Sequence, residues 1–144
     1  MYVGRTFVVG KNSEGNITAA YLLYSRSYKN RIIKKENNVF KVRLTKGDDE
    51  KKLLEYNCIK FSDTQLIVGN GVHVENVEKN LKNGENTFNS VCYGLIETGP
   101  INDEYDSARI VAVFDGENLV LGSLIKSKLH VKTVKPHISV FYYL

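Results

Sequence analysis

The sequence predicts an α+β domain: a largely antiparallel sheet, or a pair of sheets, with two helices on the outside. Three observations carry that expectation. Short runs rich in β-branched and aromatic residues recur from residue 2 to residue 69. Between residues 74 and 96 the apolar residues recur at helical spacing instead. Strand-like runs then resume at Arg109 and continue to the end. The 144 residues read as one domain, 1–144, and an apolar fraction of 42% is enough to bury a core.

The elements follow in order. Residues 2–9 alternate weakly and are rich in Val, Phe and Tyr, so they form a strand. The turn Asn12-Ser13-Glu14-Gly15-Asn16 leads into a second strand, Ile17 to Tyr24, and the two make a hairpin. Asn38 to Leu44 alternates with period two and is a third strand, followed by the charged loop Lys46 to Lys52. Glu55 to Phe61 and Gln65 to Gly69 flank an Asp63-Thr64 turn and form a second hairpin. Val74, Val77 and Leu81, then Phe88, Val91, Cys92, Leu95 and Ile96, define two helices, with Asn83-Gly84 as the stop between them. Arg109 to Asp115, Leu119 to Ile125, Leu129 to Val134 and the tail HISVFYY complete the strands.

Composition excludes several classes of function. No apolar run approaches the ~20 residues that a membrane-spanning helix needs. The opening MYVGRTFVVG has neither the charged head nor the long apolar stretch of a secretory signal, so a cytoplasmic protein with reduced thiols is expected. Cys58 and Cys92 have no CxxC spacing and read as small buried residues. His73, His130 and His137 are scattered, so no zinc site is expected. The net charge of +4 allows an anionic ligand but is modest for a nucleic-acid binder, so no nucleic-acid or membrane partner is expected. Much of the excess lies in Arg26, Lys29, Arg31, Lys34 and Lys35.

No phosphate loop, dinucleotide fingerprint, nucleophile elbow or HExxH is present. Four polar stretches stand out, each at the end or start of a strand: SRSYKNR (25–31), EYNCI (55–59), VGNGVHV (68–74) and NDEYDSARI (102–110). Polar groups beyond the apolar body of a sheet are where a pocket is normally built. Arg26 and Arg31 with Ser25 and Ser27 have the chemistry of an anion cradle, since guanidinium groups grip phosphate in a planar, two-point fashion. A solvated basic strand end is the plainer alternative. On a strand, Tyr56 and Cys58 face one side and Asn57 the other. The Tyr56 hydroxyl suits hydrogen-bond donation or proton transfer. Asn70-Gly71 marks a tight turn in which an amide meets a ligand closely, because glycine adds no Cβ. Asp103, Glu104 and Asp106 precede Arg109; such acidic loops are mostly solvated, but an acid held near Arg109 would orient it through a charge pair.

Together these stretches resemble the archaeal-type IMP cyclohydrolase family. MYVGRTFVVG is similar to the family's MYxGRxxxxG, and SRSYKNR to its SRSFPNR, with Tyr28 for Phe and Lys29 for Pro. YNCI (56–59) matches as it stands, NGVH (70–73) is similar to NGxH, and DSARI (106–110) is similar to NTPRI. The resemblance implies an Ntn-hydrolase-like, four-layer αββα sandwich of two mainly antiparallel sheets with helices outside. It also implies a homo-oligomer whose small-molecule partner is a purine ribotide, closed to IMP in de novo purine biosynthesis without a cofactor.

The residues then take roles as expectations. Tyr56, Arg31, Asn70 and Glu104 are catalytic, with Glu97 the other acid that fits the last position. Ser25, Arg26, Ser27, Asn57, Cys58, Gly71 and Arg109 bind substrate. Two alternatives stay open: a non-catalytic purine-nucleotide-binding module on the same fold, suggested by Lys29, Ser107 and Ala108, and an RNA-binding protein using residues 26–35.

Overall fold

The computed structural model describes residues 5–24, 30–45 and 55–144. The chain starts with a β-hairpin, β1 (Arg5–Lys11) and β2 (Ile17–Leu23), registered from Arg5 opposite Leu23 to Lys11 opposite Ile17. Its turn is held by the Asn12 side chain, whose Oδ1 accepts from the amides of Glu14 and Asn16, while Gly15 takes φ +82°. The last strand, β10 (Phe141–Tyr143), pairs with the other edge of β1, so both ends of the described chain lie in one three-stranded sheet.

The second sheet has seven strands in chain order, every neighbouring pair antiparallel. They are β3 (Arg31–Glu36), β4 (Val39–Leu44), β5 (Tyr56–Phe61), β6 (Leu66–Gly69), β7 (Arg109–Phe114), β8 (Leu119–Ile125) and β9 (Lys128–Val134). Two helices, α1 (His73–Lys82) and α2 (Thr87–Thr98), interrupt the meander between β6 and β7. The Asn86 side chain caps α2 by accepting from the Asn89 amide at 2.8 Å.

Period-two alternation sorts the side chains of the large sheet into two cores. Ile110, Ala112 and Phe114 of β7 face the small sheet, where they meet Phe7 and Val9 of β1. Val111 and Val113 face the helices and pack with Val74, Val77, Val91 and Leu95. β7 is covered on both faces, which explains why RIVAVF is an unbroken apolar run after its arginine. The layers are therefore helices, seven-stranded sheet, three-stranded sheet. The α+β sandwich of two antiparallel sheets is as the sequence predicts, and the described residues build three layers where four were expected. Among them no helix covers the outer face of the small sheet, where Leu22, Tyr24 and Tyr143 are exposed. No helix of the described residues is long and apolar enough to cross a membrane.

One strand escapes the sequence reading. Arg31–Glu36 (RIIKKE) looks like part of a basic run, yet it is the edge strand β3, joined to β4 by a turn with Asn37 at φ +52°. Lysines on an edge strand deter pairing with another sheet, and the lysine stem remains useful: Lys35 Nζ lies 5.9 Å from the ring centres of both Phe40 and Phe61. The expected charged loop after β4, Lys46 to Lys52, lies outside the described residues.

Helix packing rests on small residues. A Cβ on Gly94 of α2 would lie 2.8 Å from the backbone nitrogen of Val77 and 3.0 Å from its Cα. Alanine would gain up to ~1 kcal/mol in helix propensity. The clash is with backbone, however, so the helices must part, at a typical overpacking cost of ~1–3 kcal/mol. Gly94→Ala is expected to lower the urea midpoint. An unchanged or higher midpoint would show that α1 gives way without loss.

Candidate active site

Antiparallel pairing brings many strand termini to one end of the sandwich. Arg5 opens β1, Leu23 closes β2, Arg31 opens β3, Tyr56 opens β5, Gly69 closes β6 and Arg109 opens β7, all at that end. The segments 1–4, 25–29 and 46–54 lie outside the described residues. Ser25, Arg26 and Ser27 belong to the second of these, so the cradle expected of them lies outside the described residues. The polar stretches separated in sequence are thus gathered by register, not by any local motif.

Tyr56 lies at the centre of the cluster. It is 5% exposed, and its hydroxyl is 2.8 Å from that of Tyr21 on the facing sheet. Burial raises its pKa, opposed by the positive charges of Arg5 and Arg31 and by the hydrogen bond with Tyr21. Burial likewise raises the pKa of Tyr21, and here the hydrogen bond to Tyr56 adds to the effect. Arg5 sits over the Tyr56 ring, 5.8 Å from its centre. Arg31 has the same strand-face parity as Val42 and Tyr56 across β3, β4 and β5, and its guanidinium nitrogens are shielded from solvent.

Asn70 takes a different part from the expected one. Its Nδ2 donates to the Ala108 carbonyl at 2.7 Å, and its Oδ1 accepts from the Ile110 amide at 2.8 Å. The side chain thus extends the β6–β7 ladder past the end of β6, where a ligand contact was expected. Its own carbonyl accepts from Arg5 Nη1 at 2.7 Å. Asn70 positions Arg5. The Asn70-Gly71 pair makes a strand-to-helix turn, and Gly71 is needed there: a Cβ would be 3.3 Å from both Arg109 Nη1 and His73 Nδ1.

His73 is fully buried, and its Nε2 is 2.9 Å from the Ile110 carbonyl. A carbonyl only accepts, so Nε2 carries the proton and the ring is the neutral tautomer. Burial lowers its pKa to about 4; the bond to Ile110 opposes this, and the charges of Arg109 and Arg5 add to it. Arg109 donates from Nε to the Gly99 carbonyl, which ties the end of α2 to the start of β7. Its pKa is lowered by burial and by Arg5, the mark of two guanidinium groups facing one space.

Three expected residues are not in the cluster. Asn57 faces α1, where its amide donates to Glu75 Oε1 at 3.4 Å. Cys58 is fully buried in the core between the sheets and donates to the Phe40 carbonyl at 3.3 Å. A β-bulge there, with Phe40 opposite Ile59 and Lys41 opposite Asn57, leaves Cys58 as the extra residue. Burial pushes its thiol up to about 11, which leaves it neutral and weakly nucleophilic. Glu104 is exposed, as is Glu97. Asp103, also exposed, senses Arg5. Burial opposes its ionisation, but hydrogen bonds from Ser107 and the Tyr105 amide, together with the charge of Arg5, hold it below the usual carboxylate range.

Sequence reasoning missed Arg5, Tyr21 and His73 as individual participants, and it named Asp103 only as one of three acids before Arg109. Arg5 and His73 fall inside quoted motifs, so a signal existed for both. Tyr21 had none, because nothing local separates it from the other tyrosines of a strand. Among the described residues no group of His, Cys, Asp and Glu is arranged to hold a metal ion. What the cluster offers is fixed positive charge beside a withdrawn phenol, suited to an anionic substrate and to proton transfer.

The chain is thus a two-sheet α+β sandwich with arginines and a buried tyrosine gathered at one end of its strands. The chain belongs to the family described as IMP cyclohydrolase-like protein, whose model matches residues 2–144. It is 33% identical over 147 residues to the IMP cyclohydrolase of Methanocaldococcus jannaschii, covering 100% of this chain and 72% of that one. It is 30% identical over 147 residues to that of Methanococcus maripaludis, covering 100% and 73%. Identity to the Haloquadratum walsbyi IMP cyclohydrolase is 27% over 122 residues, 83% of this chain and 60% of that protein.

Proposed function

We propose that the protein closes the second ring of a purine ribotide, converting 5-formamidoimidazole-4-carboxamide ribotide to IMP and water. The observation that supports this reading is the meeting of Arg5, Arg31, Tyr56 and Arg109 at one end of the sandwich, in a chain whose whole length matches that family.

The chemistry needs orientation and proton movement. The carboxamide nitrogen attacks the formyl carbon, and Tyr56 gives its proton to the formyl oxygen as the C–N bond forms. The nitrogen then releases one proton to the Tyr56 phenolate. In the second step the new hydroxyl takes the Tyr56 proton and leaves as water. The formamide nitrogen loses its proton to the phenolate as the ring double bond forms, and Tyr56 ends as it began. Both reacting groups belong to one molecule, so holding them together supplies a large part of the rate. Arg31 and Arg109 hold the anionic substrate, with Ser25, Arg26 and Ser27 contributing from the adjoining segment. Asn70 and Gly71 support them from behind. The reading includes a cytoplasmic setting, a homo-oligomer and no resident metal or cofactor.

The test is incubation of the purified protein with the formamido ribotide while IMP absorbance is followed, with a metal chelator present. IMP formation unaffected by chelator is expected. Tight IMP binding without ring closure would overturn the enzyme in favour of a nucleotide-binding module.

A further inference from the structure

We infer that Tyr21 is a positioning residue for Tyr56: by donating its hydroxyl proton to the Tyr56 oxygen, it leaves the Tyr56 proton as the one available to the substrate. This rests on the reading above, in which Tyr56 protonates the reacting oxygen.

Two phenol oxygens 2.8 Å apart hold one proton between them, so one hydroxyl donates and the other accepts. Their surroundings make the two unequal. Tyr21 is anchored in the core between the sheets, its ring stacked on Phe7 with centres 6.5 Å apart and planes 17° from parallel. Tyr56 opens β5 at the polar end, beneath Arg5. Arg5 is fixed by its bond to the Asn70 carbonyl, and Asn70 is fixed by Ala108 and Ile110. A fixed cation favours negative charge on the nearer phenol, and an oxygen that gains charge accepts more strongly.

The charged and titratable groups around Tyr56 agree. Arg5 faces it from β1, Tyr21 from β2, Arg31 from β3 and Cys58 from its own strand. The first three stabilise a phenolate, and the Cys58 thiol is neutral near pH 7. When Tyr56 releases its proton, the charge left behind already has a hydrogen-bond donor and a guanidinium in place, so little rearrangement is needed.

Tyr21→Phe removes the donor and keeps the ring on Phe7. It is expected to lower kcat by ~10–100-fold, the range of a hydrogen bond to a charged group, with KM changed less than about twofold. In a Tyr56→Phe background the same change should alter kcat by less than about twofold, because Tyr21 acts only through Tyr56. An unchanged kcat in Tyr21→Phe, or equal losses in both backgrounds, overturns the inference.

A second measurement uses no substrate. In protein carrying ring-carbon-labelled tyrosine, the Tyr56 NMR signal is identified by its loss in Tyr56→Phe. It should titrate at higher pH in Tyr21→Phe than in the wild type. An equal or lower midpoint overturns the inference whether or not the protein makes IMP. A raised midpoint in a protein that forms no IMP supports the tyrosine pairing and overturns the proposed function.

Discussion

Tyr56→Phe is expected to lower turnover of the formamido ribotide by ~10²–10³, the usual cost of losing one well-placed donor to a developing oxyanion. The substitution is nearly isosteric. The ring stays in the core between the sheets and keeps its contact with Arg5; only the hydroxyl is lost. The Tyr21 hydroxyl loses its partner, at a cost of ~1–3 kcal/mol if it stays buried, and the groove on its other side gives it a route to water. The variant should therefore remain folded, with a modestly lower urea midpoint and KM close to the wild type. In the proposed reading the phosphate is gripped by arginines that the change leaves alone. A purified, folded Tyr56→Phe protein that cyclises at the wild-type rate would remove Tyr56 from the chemistry.

The second large effect is on stability. His73 is fully buried and neutral, with its pKa lowered to about 4 by burial, against an ordinary value near 6.5. Between those two values the unfolded chain binds a proton at this position that the native chain does not. Stability therefore rises with pH across that window and is lost as pH falls through it. At ~1.4 kcal/mol per pKa unit, the full swing is on the order of 3 kcal/mol. The groups facing the ring strengthen the effect, since Arg109 from β7 and Arg5 from β1 both disfavour an imidazolium. Urea unfolding at pH 7 and at pH 4.5 should show this loss in the wild type. In His73→Gln, which keeps a donor for the Ile110 carbonyl, most of the pH dependence from this source should disappear. The same pH dependence in both proteins would place its origin elsewhere, in the carboxylates.

The fold was legible in the sequence wherever one face of an element met a core. Alternation in β4, the unbroken apolar run of β7 and helical spacing in α1 and α2 each follow from burial, on one face of an element or on both. β3 was hidden because an edge strand that is exposed over most of its length has no such obligation. Its two isoleucines, Ile32 and Ile33, are adjacent and about two-fifths exposed, so they carry no period.

The site was less legible. Arg31, Tyr56, Gly71 and Arg109 come together as expected. Asn70 is there too, but its amide is used to extend the ladder of β7. Cys58 and Asn57 were misplaced for different reasons. Asn57 points to the helices by the same alternation that brings Tyr56 inward, and Cys58 packs into the core where the bulge leaves it opposite no partner. The resemblance offered Glu104 and Glu97 for the acid ahead of Arg109, and it did not single out Asp103. The choice between neighbouring acids depends on a loop in which Asp103 accepts two backbone amides, and that is a three-dimensional fact.

By itself, then, the sequence determined the α+β class, the family resemblance, and the concentration of chemistry at strand ends, because burial periods and short motifs are properties of neighbouring residues. Only the tertiary structure decided which side chains share a hydrogen bond across the two sheets. Tyr21 and Tyr56 are separated by 35 residues and by the gap between the layers, and Arg5 reaches Asn70 across 65. Such pairs are set by strand register and sheet packing, which leave no period in the chain, and the proposed chemistry rests on them.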